Sequence, residues 1–446
     1  MIAMTGATFA LLLVVAPVNA LACLVGYVRG RVPSAQQPSG APSARQNPKT
    51  VLLSGGKMTK ALQLARSFHR AGHRVVLVES ARYRLSGHRF SRCVDRFYIV
   101  PDPGDAGYAE ALLDIVQREG VDVFVPVSSP AASLHDAEAK ALLLAHCEVI
   151  HVGADMLRLL DDKYEFATTA ASLGLRVPDT HRITDPTEVA EFDFGRADRA
   201  GRIYILKSIA YDPIRRLDLT PLPRRTAAET EAFARSLPIS TENPWILQEF
   251  VVGQEYCTHG TVRNGNLQLY CCCESSAFQI NYEMVHKPEI EAWVRTFVNG
   301  LGLTGQVSLD FIEANDGTLY AIECNPRTHS AITMFYDQPN VAAGYLADLK
   351  DTNNGVATVI PTQACKPTYW LYHELWRMVT HPSTAAERVQ VVWRGKDAIF
   401  DRHDPLPFFM VHHVHIPSLL IDNLRRLHGW VRIDFNIGKL VEPGGD

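Results

Sequence analysis

Two acids, an amide and an arginine gather in one short stretch of this chain. Gln306 to Ser330 reads QVSLDFIEANDGTLYAIECNPRTHS. Val307 to Ile312 alternates apolar and polar residues, Asn315-Asp316-Gly317 is a turn signal, and Leu319 to Glu323 forms a second strand-like run, which together predict a β-hairpin. Asp310, Glu323 and Asn325 then fall at positions that two paired strands bring across from one another. All three offer oxygen, the donor that Mg2+ prefers when substrate phosphates and waters complete its shell. Arg327 follows two residues later, placed to meet an anion beside the metal. The competing reading is an acidic edge hairpin with a solvated face.

Other groups could serve the same chemistry. Lys163 lies at a helix start and Lys207 at a strand end, each a point charge for phosphate oxygens. Gln248 to Glu255 reads as a strand end, a short turn and another strand start. An exposed strand end offers backbone N–H and C=O groups to a nucleobase edge. The Gln248 carbonyl can accept from an exocyclic amine, and Glu255 can accept from two ribose hydroxyls.

The elements that must position these groups follow an α/β pattern. Val51-Leu52-Leu53 is a short buried strand, Ser54-Gly55-Gly56 turns into a helix closed by Gly72, and Val75 to Val78 is the next strand. The glycine turn matches neither the dinucleotide fingerprint nor the P-loop. Leu112 to Gly120 and Val121 to Val127 continue the alternation, and Ser128-Ser129-Pro130 sits just past a strand's carboxyl end, where open α/β sheets bind ligands. Met156 to Leu175 is predicted helical, Ile203 to Leu206 a strand, Thr258 to Val262 and Leu267 to Cys273 a hairpin, and Glu289 to Leu301 a helix. Further on, Tyr369 to Val379 is predicted helical and Val389 to Trp393 strand-like.

Composition bounds the rest. The chain has 446 residues, 47% of them hydrophobic and 21% charged, enough for about two to four domains with ample core. A net charge of −4 gives no basic excess for nucleic acid. Nine cysteines include no CxxC pair, and consecutive Cys271, Cys272 and Cys273 would alternate between the faces of a strand, so they read as reduced, buried side chains. His412, His413 and His415 invite a zinc reading, but strand alternation would separate His412 from the other two, and acidic partners at good spacing are missing. Residues 7–28 are apolar, uncharged and long enough to cross a bilayer, with Arg29 and Arg31 following. That order favours a membrane anchor with a cytoplasmic catalytic part over a cleaved signal. Arg31 to Pro48 reads as a linker.

As an ordered set, Lys163, Lys207, Gln248 to Glu255 and the Asp310–Glu323–Asn325–Arg327 hairpin resemble the ATP-grasp superfamily. The resemblance implies an α/β (α+β) ATP-grasp fold behind a Rossmann-like pre-ATP-grasp domain. The boundaries would be an anchor and linker over 1–49, the pre-ATP-grasp βαβ domain over 50–151, the ATP-grasp domain over 152–345 and an extension of unassigned role over 346–446. It implies ATP and Mg2+ (or Mn2+) as cofactors: Lys163 and Lys207 on phosphates, Gln248, Glu249 and Val251 at the adenine hinge, and Glu255 on ribose. Asp310, Glu323 and Asn325 would hold the metal, and Arg327 and Lys207 would act in catalysis. Two departures stand out: Gln248 replaces a carboxylate common in the superfamily, and the run after Lys207 lacks the usual glycines.

The segments SGGKMTKALQLARSF, GHRFS, CCCESSAFQ, ECNPRTHSAITMFY and RIDFNIGKLVEPGGD are similar to the ATP-grasp ligases of mycosporine biosynthesis. That likeness implies a ligase joining glycine to the cyclohexenone 4-deoxygadusol through a phosphorylated enol, with release of ADP and phosphate. Ser128, Ser129, Glu274, Ser275 and His329 would be candidates for its substrate pocket. The alternatives are an ATP-grasp carboxylate–amine ligase and a membrane-tethered nucleotide-binding scaffold without turnover.

Overall fold

The computed structural model describes residues 2–30, 47–127, 129–196, 198–199, 201–210, 212, 215, 218–275, 281–346, 357–362 and 364–442. It begins with a long apolar helix, α1 (Ile2–Gly30). The first sheet is parallel: β1 (Thr50–Leu53), β2 (Arg74–Ser80), β3 (Arg96–Val100), β4 (Val123–Val125) and β5 (Glu148–Val149), in the order β3-β2-β1-β4-β5. The helices α2 (Thr59–Arg70), α3 (Tyr108–Glu119) and α4 (Pro130–Leu143) alternate with them. β1 and β2 are almost wholly buried, which is why they read as continuous apolar runs. Strand order reverses between β1 and β4, the place where the carboxyl ends of such a sheet leave a crevice.

Two helices follow, where the sequence pattern suggested one. α5 (Ala154–Asp161) and α6 (Lys163–Ser172) break at Asp162, whose carboxylate accepts from the N–H groups of Tyr164 and Glu165. An aspartate in this N-cap position satisfies donors that α6 cannot pair internally. The second sheet is antiparallel, β6 (Thr180–Ile183), β8 (Trp245–Glu249) and β7 (Tyr204–Ser208), with β8 in the middle.

The third sheet has the order β10-β9-β11-β12, formed by β9 (Gly253–Arg263), β10 (Asn266–Glu274), β11 (Gly305–Ala314) and β12 (Leu319–Asn325). One face carries Tyr256, Tyr270, Cys272, Leu309 and Phe311 into a core with Trp293 and Phe297 of the helix Pro288–Gly300. The other carries Cys257, Leu269, Cys271 and Cys273 toward the first sheet and the C-terminal region. The three adjacent cysteines divide between the faces as strand alternation requires, and all nine cysteines are free.

The C-terminal region packs back against the first sheet's helices and loops. A buried ion pair, Arg66 Nε to Asp404 Oδ2 at 2.9 Å, joins α2 to it, and Ser91 Oγ donates to the same Asp404 oxygen at 2.7 Å. The helix Leu371–Thr380 lies where the sequence placed one. Val389 to Trp393, read as a strand, is instead part of the helix Ala385–Arg394, with Val389 and Trp393 one turn apart and both exposed. The β-branched run imitates strand alternation, and helical spacing prevails. His412, His413 and His415 likewise lie in a helical turn, Val411–His415, rather than a strand. His412 packs against Tyr372 and Phe408, and His415 against Tyr83.

Candidate active site

The hairpin forms as its pattern predicts, with one addition. Asp310 lies directly opposite Glu323 and Ser308 opposite Asn325, but the register shifts after Asp310, so that Phe311 faces Ala321. This bulge leaves Ile322 as the extra residue. Ala321 and Cys324 both enter the core, while Glu323 and Asn325 turn to the face that carries Asp310. Glu255 reaches that face from β9, opposite Ile312. Asn325 Nδ2 donates to Asp310 Oδ2 at 3.3 Å.

Three carboxylates so close disfavour full ionisation. Burial, then the charges of Glu323 and Glu255, push Asp310 up to about 8. A group held against its preferred state in this way is prepared for a cation. The carboxylates of Asp310 and Glu323 on paired strands match the hard-oxygen shell of Mg2+, and Asn325 completes the set once its amide turns its oxygen from Arg327 toward Asp310.

Positive charge faces them from the second sheet. Lys207, at the end of β7, lies in the fields of Glu323, Glu255 and Asp310 and of Lys163 at the start of α6. Burial lowers its pKa, opposed by Glu323 and supported by Lys163. Its ammonium donates to Gln248 Oε1 at 3.1 Å, and Gln248 Nε2 donates to Thr180 Oγ1 at 3.2 Å. Gln248 is buried, so accepting from an adenine amine requires its carbonyl to exchange Lys207 for the base. The Glu249 carboxylate is engaged by Arg202 at 3.1 Å and the Asp179 N–H at 3.2 Å, and Val251 sits buried in the connection to β9.

Arg327 donates to Asp161 Oδ1 at 3.2 Å and to Asn325 Oδ1, which ties the end of α5 to the end of β12. Behind it, Lys60 of α2 donates to Thr328 O at 2.6 Å. Burial and the Arg327 charge bring Lys60 down to about 7. His329 accepts from the Ala331 N–H through Nδ1 at 3.2 Å and stands edge-on to Tyr282, while its own N–H donates to His259 Nδ1 at 3.3 Å. Burial and the neighbouring cations press both histidines down to about 3, so they are neutral.

The loop after β4 is fastened to this centre, because Pro126 O accepts from Gln306 Nε2 at 2.8 Å and Thr328 Oγ1 at 3.4 Å. Beyond that loop a cavity of about 310 Å³ opens at the strand-order reversal, with Ser54, Lys57, Glu79, Tyr108, Ser129 and Asp136 in its wall. Asp136 accepts from Tyr108 Oη at 2.7 Å and Ser54 Oγ at 3.2 Å.

The structure thus gathers Lys163, Lys207, Gln248, Glu255, Asp310, Glu323, Asn325 and Arg327 in one neighbourhood. Ser275 joins them, donating to Glu255 Oε1 at 3.4 Å. His329 adjoins the Arg327 side, and Ser129 lies in the cavity wall. Glu274 does not join: it pairs with Tyr256, on the opposite face of the sheet from Glu255, and is exposed. Ser128 lies outside the described residues, as do Tyr211, Pro213, Ile214, Arg216 and Leu217 of the run after Lys207; Arg215 pairs with Asp212 at 3.1 Å. Sequence reasoning missed Lys60, Asp136 and Asp161. Lys60 was visible only as a second lysine after the glycine turn, and its partner lies far along the chain.

The second and third sheets, both antiparallel, bring Lys207, with Lys163 of the neighbouring α6, toward the oxygen ligands of β11 and β12, and the chain has the ATP-grasp fold. No family model matches the chain, and no curated protein matches it in sequence. Solved structures do. An ADP complex of purK, an N5-carboxyaminoimidazole ribonucleotide synthetase, aligns with a TM-score of 0.52 at 15% identity, over 74% of this chain and 85% of that one. The Campylobacter jejuni biotin carboxylase, in a β,γ-ATP complex, gives 0.52 at 13% identity, over 70% and 74%. The Staphylococcus aureus N5-carboxyaminoimidazole synthetase with ADP gives 0.50 at 16%, over 68% and 78%.

Proposed function

We propose that the protein is an ATP-dependent C–N ligase acting on small molecules. ATP phosphorylates an acidic oxygen of the acceptor, an amine attacks the activated carbon, and phosphate leaves. The observation that carries this is the convergence of Asp310, Glu323 and Asn325 with Lys207, Lys163 and Arg327. Asp310, Glu323 and Asn325 would hold Mg2+, or Mn2+ in its place, and the ion supplies charge neutralisation at the transferring phosphoryl group. Lys207 and Lys163 bind phosphate oxygens, Glu255 binds ribose, and the segment Gln248 to Val251 flanks the base. Arg327 steadies negative charge on the phosphorylated acceptor. Lys60, close enough to feel the Arg327 charge and brought to about 7, can take a proton from the attacking ammonium at neutral pH.

The fold neighbours favour an ordinary carboxylate as acceptor. An enolised β-diketone such as 4-deoxygadusol, with glycine as the amine, is the second reading, because such an enol is a vinylogous acid. What favours it is that the segments sharing the mycosporine-ligase likeness meet in space. Lys60 bonds Thr328, the Thr59 N–H donates to Asn436 O at 2.9 Å, Asn436 Nδ2 donates to Ser330 Oγ at 2.7 Å, and His88 Nδ1 lies 3.1 Å from Gly56 O. The catalytic part is cytoplasmic in this proposal, and α1 is retained as a tether.

The test is product analysis by mass, with ATP and Mg2+, glycine, alanine and serine offered together, and either a cyclohexenone or simple carboxylates as acceptor. ADP release that needs both acceptor and amine supports the ligase. Release with the cyclohexenone alone selects the second reading, and tight ATP binding without ADP from any pair refutes both.

A further inference from the structure

We infer that α1 and the C-terminal helices form a single platform that docks in the plane of a lipid bilayer, rather than α1 crossing the bilayer alone. The first observation is how α1 is held. Thr5, Leu12, Asn19 and Gly26 recur every seventh residue along one buried stripe. Trp430 Nε1 donates to Thr5 Oγ1 at 3.0 Å, Asn19 Nδ2 donates to Tyr372 Oη at 2.6 Å and lies 2.8 Å from His413 Nε2, and Cys23 Sγ donates to Pro405 O at 3.3 Å. His403 Nδ1 lies 3.3 Å from Gly30 O. The helix is therefore fastened from Thr5 to Gly30, about 37 Å at 1.5 Å per residue, longer than the ~30 Å hydrocarbon layer. Standing upright in a membrane, it would carry Tyr372 and His413, bonded to Asn19 near its middle, and with Tyr372 the neighbouring Glu374 of the helix Leu371–Thr380, into the hydrocarbon.

The second observation is what remains exposed. Among the described residues, twenty of the twenty-six exposed large apolar side chains lie on α1 or between Leu375 and Val431. Such concentration in one neighbourhood exceeds the scattered apolar exposure of an ordinary surface. The helix Leu371–Thr380 is inverted for a watery setting: it buries His373 and Glu374 and exposes Leu375, Trp376 and Val379. Glu374 faces Arg388 at 3.7 Å on the adjoining helix, which leaves Val389 and Trp393 outward, Trp393 at 86% exposure.

The third observation is charge. Ile2 to Val28 contains no charged residue, whereas Arg29, Arg394, Arg425 and Arg426 are exposed at the ends of the helices involved. Tryptophans beside a basic rim suit the head-group layer, where indole sits between apolar and wet surroundings and arginine meets anionic phosphates. The occupant this face fits is an anionic phospholipid surface. The inference is independent of the nucleotide site.

The test uses the full-length protein with phosphatidylcholine/phosphatidylglycerol vesicles. Flotation measures partitioning, and lipids brominated near the head group measure quenching of tryptophan fluorescence. The expected results are quenching of the wild-type protein and a drop of at least tenfold in partitioning, with most of the quenching lost, in W376S/W393S. ATP turnover in solution should not change in that variant. Wild-type partitioning without quenching would show α1 acting alone and overturn the inference, with no need of the variant. Self-association that buries Trp393 in lipid-free solution and persists on vesicles would overturn it too, assigning the face to a second copy.

Discussion

Asp310→Asn should raise the stability of the metal-free protein while abolishing Mg2+-dependent ATP turnover. Burial and the adjacent Glu323 and Glu255 move Asp310 from 3.8 to about 8. An acid whose pKa is higher in the folded state binds a proton there that the unfolded chain has already released. Stability therefore falls as pH rises between about 4 and about 8, and the strain is greatest above that window. Each pKa unit is about 1.4 kcal/mol, so even half of this displacement gives about 3 kcal/mol near neutral pH. The amide keeps the shape, cannot ionise, and removes that strain, which corresponds to several degrees in Tm. The assay is calorimetry at pH 7.5 in EDTA, repeated with Mg2+ and ATP. The variant should melt higher than wild type in EDTA and lose the gain that Mg2+ and ATP give the wild type. Its Tm should also lose most of the wild-type decline from pH 5 to pH 8. A variant less stable than wild type in EDTA, or one that keeps its turnover, would refute the reasoning.

Further expectations follow from the same geometry. Lys207→Met should reduce turnover at least a hundredfold, with weaker ATP binding by calorimetric titration, since it removes the cation facing the carboxylates and frees the Gln248 carbonyl. Asp404→Ala strands Arg66 in the interior and should cost about 3–5 kcal/mol in urea unfolding, with the C-terminal region losing amide protection first; near-wild-type stability would remove Asp404 from the account of how that region is held. Trp293→Ala empties a site shared with Phe166, Phe297 and Phe311 and should cost about 3–5 kcal/mol. Lys60→Met should leave ATP binding intact while lowering the coupling rate with the amine, an effect to be read as kcat against the KM for amine. Equal losses in both would point to a structural role.

The central hairpin was legible because strand alternation and one turn signal fix its register. The bulge after Asp310 was not, since no local residue announces that Ala321 and Cys324 must both fill the core. Lys163 at a helix start was legible, while the adjacent Asp162, which caps that helix, was overlooked. The C-terminal region resisted reading for two physical reasons. Its contacts are distant in sequence, as with Arg66 and Asp404 or Ser330 and Asn436. Its helices also expose apolar residues and bury polar ones, which inverts the pattern that sequence reasoning uses. Val389 to Trp393 resembled a strand because its β-branched residues imitate strand alternation, although they lie in a helix. Glu274 was placed by its nearness in sequence to Ser275, yet a single residue along a strand changes the face.

The central claim is that Asp310, Glu323 and Asn325 hold a divalent cation against the nucleotide phosphates opposite Lys207. The most direct measurement is the affinity of ATP with and without Mg2+, by calorimetric titration, in wild type and Glu323→Gln. The account predicts that Mg2+ tightens ATP binding at least tenfold in the wild type and that this gain is lost in the variant, whose metal-free affinity is unchanged or improved. An equal Mg2+ gain in both proteins would contradict it.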